Sequence, residues 1–450
     1  MSIACAQPTQ NQRIVLITLD TLRYDSVAAT PALNTAQPAD TAQSANTAQP
    51  STMPRLARWA EQAARFERFY SATAATQPSH ASMFTGLHPW QHGVTGNRLR
   101  LADHHLTVAE RLKDAGYATA AVVASLPVSQ RFGFAQGFDR YDDEFVLTTA
   151  IPGSAAPGAD QQVEPFYTLA EVITDRALAQ IAATTSARQF FWFHYFDPHS
   201  PYGDTADGAS IEPREILARA VAGEATDEAV RQARQLYDID VGHLDAELDR
   251  LLRALSDDEE SLETHIVITA DHGESFGEDG SLAHGRRLIP SQLHVPCLIR
   301  SPRLAPGPRE DVAGSIDIAA TLLAFAGLEA MPQLAEPFAS RDLAVVQPRT
   351  LAFGMRRTWG KPHRDIRLDG SVHLLEGHLF FMVDEAGRLV RGNRDRLETV
   401  AGPDRPSSDA EAERIRALFD GFERTLSPAG TEVEIDPDVD RALRALGYTG

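Results

Sequence analysis

Short, continuous apolar runs constrain this chain more than any other feature: residues 14–19 (Ile-Val-Leu-Ile-Thr-Leu), 119–124, 189–194 and 266–269. None alternates apolar with polar side chains, so each is expected to be a strand buried on both faces, as in a parallel sheet covered by helices. Helical patterns lie between them. Residues 52–66 carry Leu56, Trp59, Ala60, Ala63 and Ala64 on one face. Thr107 and Glu110 make a capping box for a helix ending near Gly116. Residues 230–255 place Leu236, Val241, Leu244, Leu248 and Leu251 at helical spacing, with His243 as a structural residue. A strand at 295–300 and a helix at 316–327 close this region. The expected fold class is α/β, a mostly parallel central sheet flanked by helices.

Beyond about residue 345 the pattern changes. Residues 351–354, 365–368, 372–375 and 379–384 read as short antiparallel strands, followed by a helix at 409–425. We therefore expect an α/β domain over residues 1–340 and a small C-terminal α+β subdomain with its tail over 341–450. Thr-Ala-Gln recurs at 35, 41 and 47, which marks 34–51 as a low-complexity surface insertion. Residues 132–145 read as an aromatic-rich irregular segment, 152–163 as a loose loop and 436–450 as a docking helix.

The chemistry gathers at the ends of the apolar runs. Asp20 follows the first, Asp197 and His199 the third, Asp271 and His272 the last. Open α/β sheets place ligands beyond the carboxyl ends of their strands. Asp oxygens and His nitrogens together suit a divalent metal, Zn or Mn rather than Mg. Between the first two runs, Pro78 in Thr-Gln-Pro-Ser-His-Ala-Ser-Met-Phe-Thr-Gly reads as a helix start. A threonine ahead of a helix is ordinarily a cap. Beside a metal and the positive end of a helix, the Thr76 hydroxyl becomes a competent nucleophile. One or two ions would then serve phosphoryl or sulfuryl transfer from a small anionic ester, where charge neutralisation does most of the work.

The formal charge of −20 argues against nucleic acid or an anionic membrane as main partner. Residues 1–12 lack a basic start and an apolar run, and no segment approaches 18 apolar residues, so a cytoplasmic chain with no membrane span is expected. Cys5 and Cys297 are the only cysteines, too few for a disulfide framework, and Cys297 reads as a buried strand residue.

Together, Leu-Ile-Thr-Leu-Asp-Thr-Leu-Arg, Gln-Pro-Ser-His-Ala-Ser-Met-Phe-Thr-Gly, Phe-Asp-Pro-His-Ser-Pro-Tyr and Asp-His-Gly-Glu-Ser-Phe-Gly-Glu resemble the alkaline phosphatase superfamily, and within it the sulfatase-like branch. The resemblance runs through most of residues 13–330. It implies Asp20, Thr76, Asp271 and His272 as ligands of the main metal. It implies Asn97 as the contact to the substrate oxyanion, as in phosphodiesterase and phosphonate-hydrolase relatives. It implies His199 and His284 as holders of a second metal or of the substrate, as in phosphoethanolamine transferases, whose Asp-His-Gly-Glu-Ser…His-Gly segment is spaced in the same way. The chain departs from true sulfatases at the nucleophile. Those carry Cys or Ser, converted to formylglycine, where Thr76 stands here, and an arginine where His80 stands. The β-branched threonine cannot become formylglycine. A threonine phosphate can be opened by in-line attack at phosphorus, whereas a threonine sulfate lacks the elimination route of a formylglycine hydrate. The resemblance thus implies a metal-dependent hydrolase of phosphate or phosphonate esters working through a covalent threonine intermediate. The alternatives are a phosphoryl- or sulfuryl-group transferase, a sulfuric ester hydrolase without formylglycine, and an inactive binding protein.

Overall fold

The computed structural model describes residues 11–27, 51–146, 166–204, 210–257, 262–331, 339–345, 350–358, 362–402, 408–435, 437 and 440. The expected insertion at 34–51 and the loop at 152–163 lie outside these, apart from Ser51, as does most of the expected helix at 436–450.

The apolar runs are strands, and among the described residues they build one eight-stranded sheet. In chain order its members are β1 (Gln12–Leu19), β2 (Ala64–Tyr70), β3 (Ala118–Val123), β4 (Arg140–Asp142), β5 (Arg188–Tyr195), β6 (Glu263–Ala270), β7 (Cys297–Arg300) and β8 (Gly307–Gly314). Their spatial order is β4-β3-β5-β1-β6-β7-β2-β8, and every pairing is parallel except those of β7. The most apolar strands, β1, β5 and β6, occupy the middle. Two groups of helices flank the sheet. Ala170–Ala183, Pro54–Ala60 and the long Asp227–Asp257 pack together, and Thr76–Thr85, Val108–Asp114 and Asp317–Phe325 form the other group.

Departures from the sequence reading fall at edges and ends. The helix expected over 52–66 is only Pro54–Ala60, because β2 begins at Ala64 and takes the last expected residues into the sheet. Within 132–145 lies an edge strand, β4. Strand β8 carries no apolar run; its first residues are part-exposed Gly, Pro, Arg and Glu, as an edge position permits. The Thr107–Glu110 capping box is present, His243 is exposed on its helix, and Cys297 is buried in β7.

A second, antiparallel sheet follows: β9 (Leu351–Met355), the hairpin β10 (His363–Ile366) with β11 (Val372–Leu375), then β12 (Phe380–Asp384), β13 (Leu389–Gly392) and β14 (Leu397–Ala401). Its order is β14-β13-β12-β9, with β10 and β11 pairing separately. Strands β13 and β14 were not legible in the sequence; β14 is polar and largely half-exposed. The helix Asp409–Arg424 packs Ile415, Phe419 and Phe422 against this sheet, and Trp90 enters the same cluster from the larger sheet's side. Gly354 lets β9 reach that side: a Cβ there would lie 2.1 Å from the Ala72 carbonyl oxygen.

Candidate active site

Strand register builds the centre of the site. Leu19 lies level with Tyr195 on one neighbour and Ala270 on the other. The next residues therefore emerge side by side at the carboxyl edge, where the Asp20 amide donates to the Tyr195 carbonyl at 3.0 Å. Asp20, Asp271 and His272 are fully buried, and their potential ligand atoms lie within 4.8 Å of one another. His272 Nε2 stands 3.8 Å from Asp20 Oδ1 and 3.6 Å from Asp271 Oδ2. Among the described residues this is the group that could hold a metal ion.

The donors fit such an ion. Asp271 Oδ1 accepts the amides of Thr21 and His272 at 3.2 and 2.7 Å, while Asp271 Oδ2, equally buried, accepts no hydrogen bond among the described residues. His272 Nδ1 bonds the Gly273 carbonyl at 3.0 Å, which assigns the proton to Nδ1 and turns the Nε2 lone pair inward. Burial pushes the Asp271 carboxyl up to about 6 and the His272 imidazole down to about 4. A cation would reverse the first tendency and use the neutral imidazole that the second provides.

Thr76 is the first residue of the helix Thr76–Thr85, and the N-cap is Ala75, which has no capping side chain. The ordinary role of a threonine at a helix start is thus absent. Instead Thr76 Oγ1 lies 3.4 Å from His272 Nε2. The helix is fixed from below: Ser79 Oγ donates to the Asp271 carbonyl at 2.7 Å and Ser71 donates to the same oxygen. His80, in the position where the resemblance has an arginine, bonds the Thr76 carbonyl through Nδ1 at 2.8 Å and Thr18 Oγ1 through Nε2 at 3.1 Å. Thr18 Oγ1 in turn accepts Trp192 Nε1 at 2.9 Å, so its proton is directed at His80. Asn97 Oδ1 accepts the Gln77 amide at 3.1 Å, and its buried Nδ2 makes no hydrogen bond among the described residues.

The remaining expected residues divide. His284 packs on His272 with ring centroids 4.4 Å apart, and His199 on His284 at 4.9 Å. His284 Nδ1 lies 3.1 Å from Glu274 Oε2, leaving a buried Nε2 that makes no hydrogen bond among the described residues. His199 Nδ1 bonds the Ser200 carbonyl at 2.7 Å. Burial, with the neighbouring imidazoles, holds both well below the usual histidine range. Asp197 does not join them. Its Oδ2 accepts the Ala170 amide at 2.8 Å, at the start of a helix, so the candidate ligand set loses it to a structural task. Sequence reasoning assigned no role to Glu274, although it stands in the Asp-His-Gly-Glu segment.

A family model described as Sulfatase matches residues 12–328. An uncharacterized sulfatase of Escherichia coli, YidJ, is 23% identical over 332 residues, covering 64% of this chain and 65% of that protein. A choline-sulfatase of Rhizobium meliloti is 24% identical, covering 61% of this chain and 63% of that one. The chain thus spans just under two thirds of the length of these curated relatives. Among solved structures, a phosphonate monoester hydrolase from Silicibacter pomeroyi superposes with a TM-score of 0.61 at 20% identity, covering 92% of this chain and 94% of that one.

Proposed function

The chain belongs to the sulfatase family of the alkaline phosphatase superfamily, and from that premise we propose that it is a metal-dependent hydrolase that cleaves a phosphate or phosphonate ester through a covalent intermediate on Thr76. The observation that carries this reading is the Thr76 hydroxyl at a helix N-terminus, 3.4 Å from His272 Nε2 in the Asp20–Asp271–His272 group.

A divalent ion, Zn or Mn, held by Asp20, Asp271 and His272 would lower the barrier to ionising a hydroxyl and neutralise charge on the reacting anion. The chain's own groups do the rest. Ser79, Ser71 and His80 fix the helix so that Thr76 Oγ1 points at the reacting phosphorus. Thr76 Oγ1 forms a bond to phosphorus as the bond from phosphorus to the ester oxygen breaks, the proton of the Thr76 hydroxyl ends on the departing oxygen, and a phosphothreonine remains. Asn97 Nδ2, whose own Oδ1 is anchored on the Gln77 amide, holds a non-bridging oxygen. Water then attacks the phosphothreonine, and a proton passes to the neutral Nε2 of His284 or His199. At His284 the Glu274 carboxylate, on the opposite nitrogen, stabilises the imidazolium so formed. Phosphate or phosphonate leaves, and the Thr76 hydroxyl is restored.

Threonine in place of a formylglycine precursor, and the phosphonate monoester hydrolase among the structural neighbours, support phosphorus as the reacting atom. Sulfuric ester hydrolysis is the second reading, supported by the family and by the sulfatases among the relatives. The experiment is turnover by wild type and Thr76→Ala on nitrophenyl phosphate, bis-nitrophenyl phosphate, a phenylphosphonate monoester and nitrophenyl sulfate, with Zn or Mn supplied. Cleavage of phosphorus esters that disappears in Thr76→Ala is expected. Cleavage of the sulfate alone would replace this reading with the second, and cleavage that persists in Thr76→Ala would remove the covalent step.

A further inference from the structure

The helix that carries Thr76 takes its cap from a distance. Gln77 is the second residue of that helix, so its amide has no acceptor within the helix, and Ala75 at the N-cap offers no side chain. Asn97 Oδ1, 20 residues further along, accepts the Gln77 amide at 3.1 Å instead. The placing of the Asn97 carboxamide therefore bears directly on the start of the nucleophile's helix.

What places Asn97 comes from far along the chain. The next residue, Arg98, has φ +77°, in the left-handed region that a side chain disfavours and that persists only where its surroundings hold it. Here the segment 427–433, just after the helix Asp409–Arg424, runs along the loop. The Gly430 amide donates to the Gly93 carbonyl at 2.9 Å, the Arg100 amide to the Thr431 carbonyl at 2.8 Å and the Val433 amide to the Arg98 carbonyl at 2.9 Å. Leu99 and Glu432 pair as an antiparallel bridge. The approach is so close that a Cβ at Gly93 would lie 2.3 Å from the Pro428 carbonyl oxygen. The Arg98 guanidinium adds an ion pair to Asp440 at 2.9 Å, with both side chains only 20% exposed. Its contact with Glu432 at 3.4 Å counts for less, because that carboxylate is 66% exposed and screened by solvent. At Thr95 a second segment holds the loop, the Thr358 amide and hydroxyl donating to the Thr95 carbonyl and hydroxyl at 2.7 and 2.8 Å.

We propose that Arg98 is a positioning residue of this site: clamped by the segment 427–433 and by Asp440, it fixes Asn97 as the cap of the Thr76 helix. The C-terminal subdomain thereby sets the nucleophile's helix without contributing a reacting group. The contact of Asn97 with a non-bridging oxygen rests on the hydrolase reading; the capping does not.

Hydrogen exchange, resolved to single residues by mass spectrometry with electron-transfer fragmentation, reads the Gln77 amide without ligand or turnover. In Arg98→Ala that amide is expected to exchange about tenfold faster than in wild type or more, with Arg98→Lys in between. The Gly86 amide, bonded to the Ser82 carbonyl at the other end of the same helix, should be unchanged. Added to Asn97→Ala, where the Gln77 amide is already released, Arg98→Ala should bring no further change. Asp440→Asn leaves Arg98 in place and should shift Gln77 in the same direction by a smaller factor; circular dichroism checks the folding of each variant. Exchange at Gln77 unaltered in both Arg98→Ala and Asp440→Asn, equal acceleration with and without Asn97, or acceleration of Gly86 in step with Gln77 would overturn the assignment. Where Thr76-dependent turnover is present, Arg98→Ala should also lower kcat by about tenfold with KM and metal content near wild type; an unchanged kcat would remove the positioning role. Failure of the hydrolase reading shows separately, as wild-type protein without Thr76-dependent turnover, and the exchange experiment decides the role of Arg98 in either case.

Discussion

Asp20, Asp271 and His272 stand just past the ends of two neighbouring parallel strands, whereas the residues that follow β9 come from the smaller sheet. The first set is placed by register: once β1, β5 and β6 pair, Asp20 and Asp271 have almost no freedom left. The second set is placed by docking, through the Met355–Ala72 and Thr358–Thr95 bonds and the aromatic cluster around Trp90. The proposed charged centre thus sits at the ends of the central, most buried strands. The smaller sheet is docked by contacts that leave the pairing of the central strands untouched.

The sharpest way to break this comparison is at the register-built centre. Asp271→Asn is expected to abolish metal retention, read by elemental analysis, and to lower turnover by about a thousandfold or more. For the wild type, chelation should lower the melting temperature, since an ion present at a thousand times its Kd adds about 4 kcal/mol. The variant's melting temperature should not respond to chelator. If it binds metal like wild type, the register-built centre is not the metal site.

Next comes the docked side. Trp90 is 2% exposed and stacks on Phe422 with centroids 4.4 Å apart. Trp90→Ala is expected to cost about 3–5 kcal/mol in denaturant unfolding. It should loosen the smaller sheet while metal content stays at the wild-type level. Loss of metal with the docking would show that the two regions fold as one unit.

Glu274→Gln tests the link between them. Removing the charge behind His284 is expected to slow turnover by roughly 10–100-fold, as for other partners of site histidines. Burst kinetics should show slower release of the phosphothreonine rather than slower formation. An unchanged burst-to-steady-state ratio would move the base elsewhere.

An effect on stability alone concerns the scaffold beside the Tyr202–Ile211 bridge. Glu212 is 8% exposed, its Oε2 accepts no hydrogen bond among the described residues, and burial raises its carboxyl to about 7. A carboxyl raised in the folded state costs nothing below its unfolded value, near pH 4.5. It destabilises progressively as pH climbs from there toward 7, by about 1.4 kcal/mol for each pH step of one. Glu212→Gln should therefore be more stable than wild type at pH 8 and equal to it at pH 4, by denaturant titration. Equal stability at both would mean that Glu212 is not desolvated.

The sequence by itself determined the parallel sheet and the centre of the site, because both depend on local pattern. A strand buried on both faces is apolar throughout and the first polar residue after it lies at the sheet edge, so Asp20, Asp197, His199, Asp271 and His272 could be read onto one rim, and the family resemblance singled out Asp20, Asp271 and His272 among them. Thr76 was legible through Pro78 and the helix it starts. What only the tertiary structure decided lies wherever the local pattern is silent. Strands β8 and β14 are held by neighbours more than by their own apolar content, and β13 is too short for its buried Leu389 and Val390 to show a pattern. Asp197 has the composition of a ligand, yet the start of a packed helix claims its carboxylate. Glu274 is placed by its contacts with His284 and, from another segment, Tyr202. Strand periodicity encodes which residues share an edge; it does not encode which surface of a second sheet will close over that edge.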